Sequence, residues 1–304
     1  MRKVIGIGET IYDIIFKNNQ PLKAVPGGST FNCMVSLGRL NIPALFVSET
    51  GDDKIGNMIK EFMKDNNLST EFIDFFRDGS SPIALAFLDE KHDAEYMFYR
   101  NFPKKRLDID LPTIQTDDIL VFGSYFALNP LLRDKVSSIL LSACDKAIIY
   151  YDINFRKAHA YERNKLMASF LENFENSTII RCSEEDLETL YPGESIESVY
   201  HNRISFYCKN FIVTKGSKGV YLKTATIEKS YSVEPLEPVS TIGAGDNFNA
   251  GIIYGLMKYG YSRDDINHLK EKDWDKLISL GIQFSSEVCM STDNYISGDS
   301  IISL

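Results

Sequence analysis

Histidine and cysteine are scarce in this chain, and neither is clustered. The four histidines (His92, His159, His201 and His268) lie far apart, which argues against a metal centre built on paired imidazoles. The five cysteines are odd in number and form no C-x-x-C pair, so a disulfide framework is set aside and a reducing compartment expected. Basic residues never run beyond Lys104-Lys105-Arg106 and the net charge is −9, leaving no electrostatic footprint for nucleic acid. No apolar run reaches the roughly 18 residues of a spanning helix. The run after Met1-Arg2-Lys3 is broken by Glu9 and Asp13, which is wrong for a secretory signal. A cytoplasmic protein with no nucleic-acid or membrane partner is expected. Also missing is G-x-x-x-x-G-K-[ST], and Gly6-Ile7-Gly8-Glu9-Thr10-Ile11 has Ile where a dinucleotide fingerprint needs its third glycine.

What the chain has is ordinary globular material: 304 residues, 44% hydrophobic and 25% charged, enough for one large α/β core with a modest insertion. Short apolar runs at 4–8, 44–48, 119–124, 147–152, 178–182 and 211–214 read as buried strands of a parallel sheet. Helical stretches at 55–66, 131–144 and 161–174 separate them, giving the β-α-β rhythm of a doubly wound fold. Ligands of such a sheet gather beyond the carboxyl ends of its strands, which makes Asp152, Asn154, Glu185, Thr214 and Gly216 site candidates. Two stretches break the rhythm, at about 11–26 and 81–103. The second reads as a hairpin around a polar turn at 89–95, and together they predict a small sheet projecting over the strand ends as a lid.

Two glycine-rich segments carry the chemistry. Gly243-Ala244-Gly245-Asp246 opens an apolar helical stretch, so its backbone amides can point outward as an anion site. An aspartate in that first turn is held as a carboxylate by the helix dipole and can serve as a base for a hydroxyl; a Gly-rich turn capped by Asp is an equal explanation on spacing alone. Pro26-Gly27-Gly28-Ser29-Thr30-Phe31-Asn32 stands before a second helix. Its glycines permit close approach of a ligand to the backbone, and a loop with Ser or Thr as cap explains it as well.

Together, the early Gly-Gly-x-x-x-Asn and the late Gly-Ala-Gly-Asp resemble the two signatures of the ribokinase-like (PfkB-type) carbohydrate kinases. The resemblance spans the chain, taking in 6–13, 27–32, 51–56, Tyr99-Arg100, 152–156, Glu185, 214–219 and 243–246 in order. It implies that fold and an ATP-dependent transfer to a sugar hydroxymethyl group. Asp246 would be the base, with the amides of Gly243, Ala244 and Gly245 as the anion hole. Asp13, Gly27, Gly28 and Asn32 match positions that hold sugar hydroxyls. Tyr99-Arg100-Asn101 and Asp152-Ile153-Asn154-Phe155-Arg156 look most like fructokinases and 2-keto-3-deoxygluconate kinases, with Arg100 capping a substrate oxygen and Arg156 meeting a substrate oxygen or the γ-phosphate. Glu185 matches a carboxylate that orients magnesium through water, with Cys182 where Asn is usual. Thr214 and Gly216 match the nucleotide-side loop.

Ser240 stands where the second signature usually begins with Asp, and Asn294 stands at a usual Gly of a late loop. In relatives both belong to a monovalent-cation site, so potassium activation is expected to be weak or absent. The activity expected is ATP plus D-fructose giving fructose 6-phosphate. Alternatives are 2-keto-3-deoxygluconate, ribose or a nucleoside as acceptor, a non-catalytic sugar-binding regulator, and, on the 6–8 glycines, a dehydrogenase. An apolar lid hairpin with exposed edges needs covering, so a homodimer through the lid is expected.

Overall fold

The computed structural model describes residues 1–88 and 94–297. Among them run thirteen strands: β1 (Val4–Ile7), β2 (Ile11–Lys17), β3 (Gln20–Gly27), β4 (Ala44–Gly51), β5 (Ile73–Phe76), β6 (Ser80–Leu88), β7 (Ala94–Asn101), β8 (Ile119–Gly123), β9 (Ile148–Asp152), β10 (Ile179–Ser183), β11 (Phe211–Thr214), β12 (Val220–Lys223) and β13 (Glu228–Tyr231). The α-helices are α1 (Ser29–Arg39), α2 (Lys54–Asp65), α3 (Arg133–Ala143), α4 (Arg163–Asn176), α5 (Glu184–Leu190), α6 (Ile196–Val199), α7 (Ala244–Lys258) and α8 (Glu271–Cys289). None of these helices is long and apolar enough to cross a membrane.

Nine strands form the main sheet in the order β13-β12-β11-β10-β9-β8-β1-β4-β5. The first seven-strand block from β5 to β11 is parallel throughout, and β12 and β13 add antiparallel pairs at one edge. The parallel strands are continuous apolar runs because helices cover both faces. Val4, Val121, Tyr150 and Ile212 face α1, α7 and α8, while Ile5, Phe122, Tyr151 and Val213 face α3 and α4. This period of two places Asp152 and Arg181, continuing from Tyr150 and Ile179, on the α7 side of the sheet. The antiparallel edge follows from the 214–219 turn, a hairpin whose centre is one 3₁₀ turn at Gly216–Lys218.

Strand order reverses at β1: the chain first winds outward to β4 and β5, then returns to β8 and winds the other way. A crevice opens beyond the strand ends at such a reversal. The two stretches that break the β-α-β rhythm leave the sheet there, after β1 and after β5, and pair as a second sheet of order β3-β2-β6-β7. Strand β2 lies antiparallel to β3 and parallel to β6, which pairs antiparallel with β7. Of the turn expected at 89–95, residues 89–93 lie outside the described residues. The edge strand β7 exposes Met97, Phe98 and Tyr99.

Helix α7, which carries the late glycine motif, is fixed in place by close packing on α8. A Cβ on Gly251 would fall 2.4 Å from the Leu280 carbonyl oxygen, and one on Gly281 would fall 2.7 Å from the Phe248 ring. Neither helix backbone can move aside without disturbing the buried Trp274, Leu277 and Phe284. Gly251→Ala should therefore lower stability by about 1–3 kcal/mol. A thermal melt shifted down by several degrees would bear this out, and an unchanged melting temperature would refute it.

Candidate active site at the carboxyl edge of the sheet

The two glycine motifs meet. Helix α7 begins at Gly243, whose positive φ of 80° sets the turn into the helix, and no side chain caps that end. Asp246 therefore does not act as a cap. Both its oxygens are taken by α1: the Ser29 hydroxyl donates to Oδ1 and the Asn32 amide to Oδ2, each at 2.8 Å. Ser29 likewise is no cap, since α1 is preceded by Gly28 with no side-chain cap bond. Burial raises the Asp246 carboxyl, the bonds from Asn32 and Ser29 oppose this, and the charges of Asp152 and Arg156 pull in opposite senses. Of the three amides expected to form the anion hole, that of Ala244 turns back to the Thr241 carbonyl at 3.3 Å. Those of Gly245 and Asp246 precede the first helical acceptor bond and point to the open end of α7.

Asp13, Gly27 and Gly28 line the space beside this carboxylate. A Cβ on Gly27 would fall 2.2 Å from the Asp13 carboxylate and one on Gly28 2.1 Å from the Glu9 carbonyl oxygen, so only glycine leaves the cradle open at either position. Asp13 is 8% exposed. Burial, with Glu9 and Asp246 close by, pushes its carboxyl up to about 7. Arg100, expected to cap a substrate oxygen, has its fork on Glu9 instead, through Nε at 2.9 Å and Nη2 at 3.0 Å. The second sheet is thereby tied to the loop after β1.

On the far side of Asp246 lies a buried polar chain. Tyr150 donates to Asn249 Oδ1 at 2.9 Å, and Asn249 donates to Asp152 Oδ2 at 2.8 Å. Arg181 donates to Asp152 Oδ1 at 3.0 Å and to the Thr214 hydroxyl at 2.6 Å. Asp152 is buried, and Arg156, four residues on, is exposed yet close enough to act on Asp246 and Asp186 by charge. Glu185, expected to orient magnesium through water, faces solvent on α5. The buried acid of that turn is its neighbour Asp186, in a capping box with Ser183. Glu184 pairs with Lys218 of the 214–219 hairpin. Gly216 sits exposed with φ 55° and open space around it.

Comparison with known proteins identifies the family and the fold. The model of the family described as "pfkB family carbohydrate kinase" matches residues 1–297. The chain belongs to the pfkB family of carbohydrate kinases. Among curated relatives, a probable chloroplastic fructokinase-6 of Arabidopsis thaliana is 27% identical over 88% of this chain and 73% of its own length. Fructokinase-2 of Zea mays is 26% identical, covering 88% and 83%. Two solved structures share the fold. Fructokinase of Vibrio cholerae O395, in a form with fructose, ADP and calcium ion, superposes with a TM-score of 0.83 at 22% identity, covering 97% of this chain and 94% of that one. Aminoimidazole riboside kinase of Salmonella enterica superposes with 0.79 at 21%, covering 96% and 95%.

In this pfkB-family kinase, then, an ATP-dependent carbohydrate kinase, Asp246, Gly243, Gly245, Asn32, Gly27, Gly28 and Asp13 fall in one crevice, with Thr214 at its far side behind Arg181. Ser29, Asp186, Asn249 and Arg181 are residues around it that sequence reasoning did not single out. Ser29 was legible only as a cap, and Arg181 only as an apolar strand's odd residue.

Asp13 gives the site a measurable pH signature. Its folded value of about 7 lies above its ordinary value of 3.8, so the native state binds the proton more tightly than the unfolded chain. Stability from this group is greatest below pH 4, is lost as pH rises toward 7, and stays low above it. Asp13→Asn should raise the melting temperature by several degrees at pH 8 and change it little at pH 4. Equal shifts at both pH values would contradict the assignment.

Proposed function

We propose that this kinase transfers the γ-phosphoryl group of ATP to the hydroxymethyl group of a free sugar, D-fructose foremost. The carrying observation is the Asp246 carboxylate, oriented through both oxygens by Ser29 and Asn32 beside the open amides of α7. A carboxylate so placed can take the acceptor's proton as its oxygen bonds to phosphorus and the bond from phosphorus to the ADP oxygen breaks. The amides of Gly245 and Asp246 then meet the charge on the transferring group, with Arg156 close enough to add to it. Asp13, across the cradle of Gly27 and Gly28, is suited to accept bonds from adjacent sugar hydroxyls. Asn32 contributes through the same crevice.

Fructose is favoured by the named relatives and by the fructose-bound neighbour. A ribose, nucleoside or 2-keto-3-deoxygluconate acceptor would use the same base and anion site. In this reading the second sheet acts as the lid, latched by Arg100 on Glu9, and excludes water from the transfer. Thr214 and Gly216 border the nucleotide. Magnesium would arrive on the ATP phosphates and neutralise their charge. Among the described residues no group of three or more His, Cys, Asp or Glu is arranged to hold a metal, so a carboxylate would act only through water. The buried Asp186 fits that role better than the solvent-facing Glu185.

The late loop is poorly suited to a monovalent cation. The Thr292 carbonyl accepts from Lys23 Nζ, the Asn294 carbonyl accepts from Asn247 Nδ2, and the Ser240 hydroxyl accepts from the Ile242 amide. Donors of the chain already meet oxygens that a cation would need, and one of them is itself an ammonium.

Two measurements test this function. In a coupled assay with ATP and magnesium, Asp246→Asn should lower turnover of fructose by about 10²–10⁴-fold while fructose binding survives. A variant as active as the native chain would remove Asp246 from the chemistry, and no phosphorylation of any ketose, aldose or nucleoside by the native protein would sink the function. Replacing a large organic cation by potassium at fixed ionic strength should leave turnover nearly unchanged, and a severalfold rise would show a working cation site.

A further inference from the structure

We propose that Arg181 is a positioning residue for phosphoryl transfer, holding the anion-binding turn, the strand end at Asp152 and the nucleotide-side strand end at Thr214 in one fixed register. The proposal rests on the function proposed above and adds to it a residue outside the glycine motifs.

Arg181 lies in β10, between β9 and β11, with its side chain 6% exposed. One face of the fork reaches β9 through Asp152 at 3.0 Å, the other reaches β11 through Thr214 at 2.6 Å. The third contact is with α7: a Cβ on Gly245 would fall 2.9 Å from Arg181 Nη2, so the anion-binding turn rests directly on the guanidinium. Asp152 is held to the same helix a second time through Asn249. A rigid planar cation with several donors can make three such contacts at once, and a lysine ammonium on a flexible stem cannot.

Stability alone does not account for the arrangement. Desolvation offsets much of the gain from a buried ion pair, and a well-packed apolar pair of similar size is commonly as stable. Arg181 Nε is moreover buried with no partner, so the side chain is not placed to satisfy itself. Its placement does serve the site. The guanidinium lies against Gly245, so it fixes where the turn stands whose amides would meet the charge that builds on the transferring group. Gly245 is also explained: any side chain there would displace the turn from its support.

The test uses the full-length chain in three forms: Arg181→Lys, Asp152→Asn, and the two-site variant Arg181→Met with Asp152→Asn. The last removes the ion pair as a whole, because loss of Arg181 alone would strand a buried carboxylate. Melting temperature, turnover, fructose affinity without nucleotide, and ADP affinity without sugar are measured for each. The two-site variant should melt near the native protein and bind fructose within about threefold, while ADP binds about tenfold more weakly and turnover falls about 100-fold, the loss expected from misplacement of a reacting group by about 1 Å. Arg181→Lys, which keeps charge but loses the fork, should remain at least about tenfold below native turnover; it also carries the test should the two-site variant not fold. Turnover and ADP affinity within threefold of native in the two-site variant would overturn the proposal, as would full turnover in Arg181→Lys or the whole loss appearing in Asp152→Asn alone. A native chain that binds ADP and fructose without phosphorylation would refute the proposed function, and the ADP affinities would still decide the part played by Arg181.

Discussion

The contact between Asp246 and the start of α1 joins two segments more than two hundred residues apart and sets the geometry of everything around it. Ser29 and Asn32 reach Asp246 from one helix start to another, and the join is reinforced one residue on, where Ser36 donates to Asn247. Asn247 in turn donates to the carbonyls of Gly243 and Asn294. The two helices and the loop after α8 thus form one polar block in an otherwise apolar layer. Buried polar groups of this kind must all be matched, and the matching leaves few alternative arrangements.

Around that block several carboxylates are drawn out of water, buried at Glu49, Asp152 and Asp13 and half-buried at Asp246, and they are treated unequally. Glu49 is answered by Arg106 and by the Leu107 amide, Asp152 by Arg181 and Asn249, and Asp246 by Ser29 and Asn32. Asp13 has acids for neighbours, and its proton is held accordingly. An acid in that state is costly to the fold when ionised, but a ligand rich in hydroxyl donors would relieve it.

Most of the architecture was legible as pattern. Continuous apolar runs gave β1, β8, β9 and β11 nearly to the residue, because a strand covered on both faces has no polar face to hide its signal. The two interruptions of the β-α-β rhythm became the second sheet, with ends within about two residues of those expected. The 214–219 segment read as a hairpin turn between two apolar strands, which are β11 and β12, but β13 was not foreseen: it alternates between exposed and half-buried, and an edge strand of that kind resembles a loop in composition. The glycines were legible because their positions demand close backbone approach. A short acidic run, Glu184-Glu185-Asp186, does not reveal which of its members faces inward until the helix phase is set by the strand before it.

The sequence by itself determined the fold class, the family and the two helix starts of the site, because those depend on local spacing: apolar period, glycine positions and the order of motifs along one chain. Tertiary structure alone decided what each polar group does. Ser29 binds Asp246 and not its own helix end, Arg100 grips Glu9, Asp186 and not Glu185 turns inward, and Arg181 supports a turn sixty-odd residues away. Each of these is a choice of partner among many chemically equal ones. Such a choice is made by which elements the sheet order brings within about 3 Å of one another, and no local pattern records it.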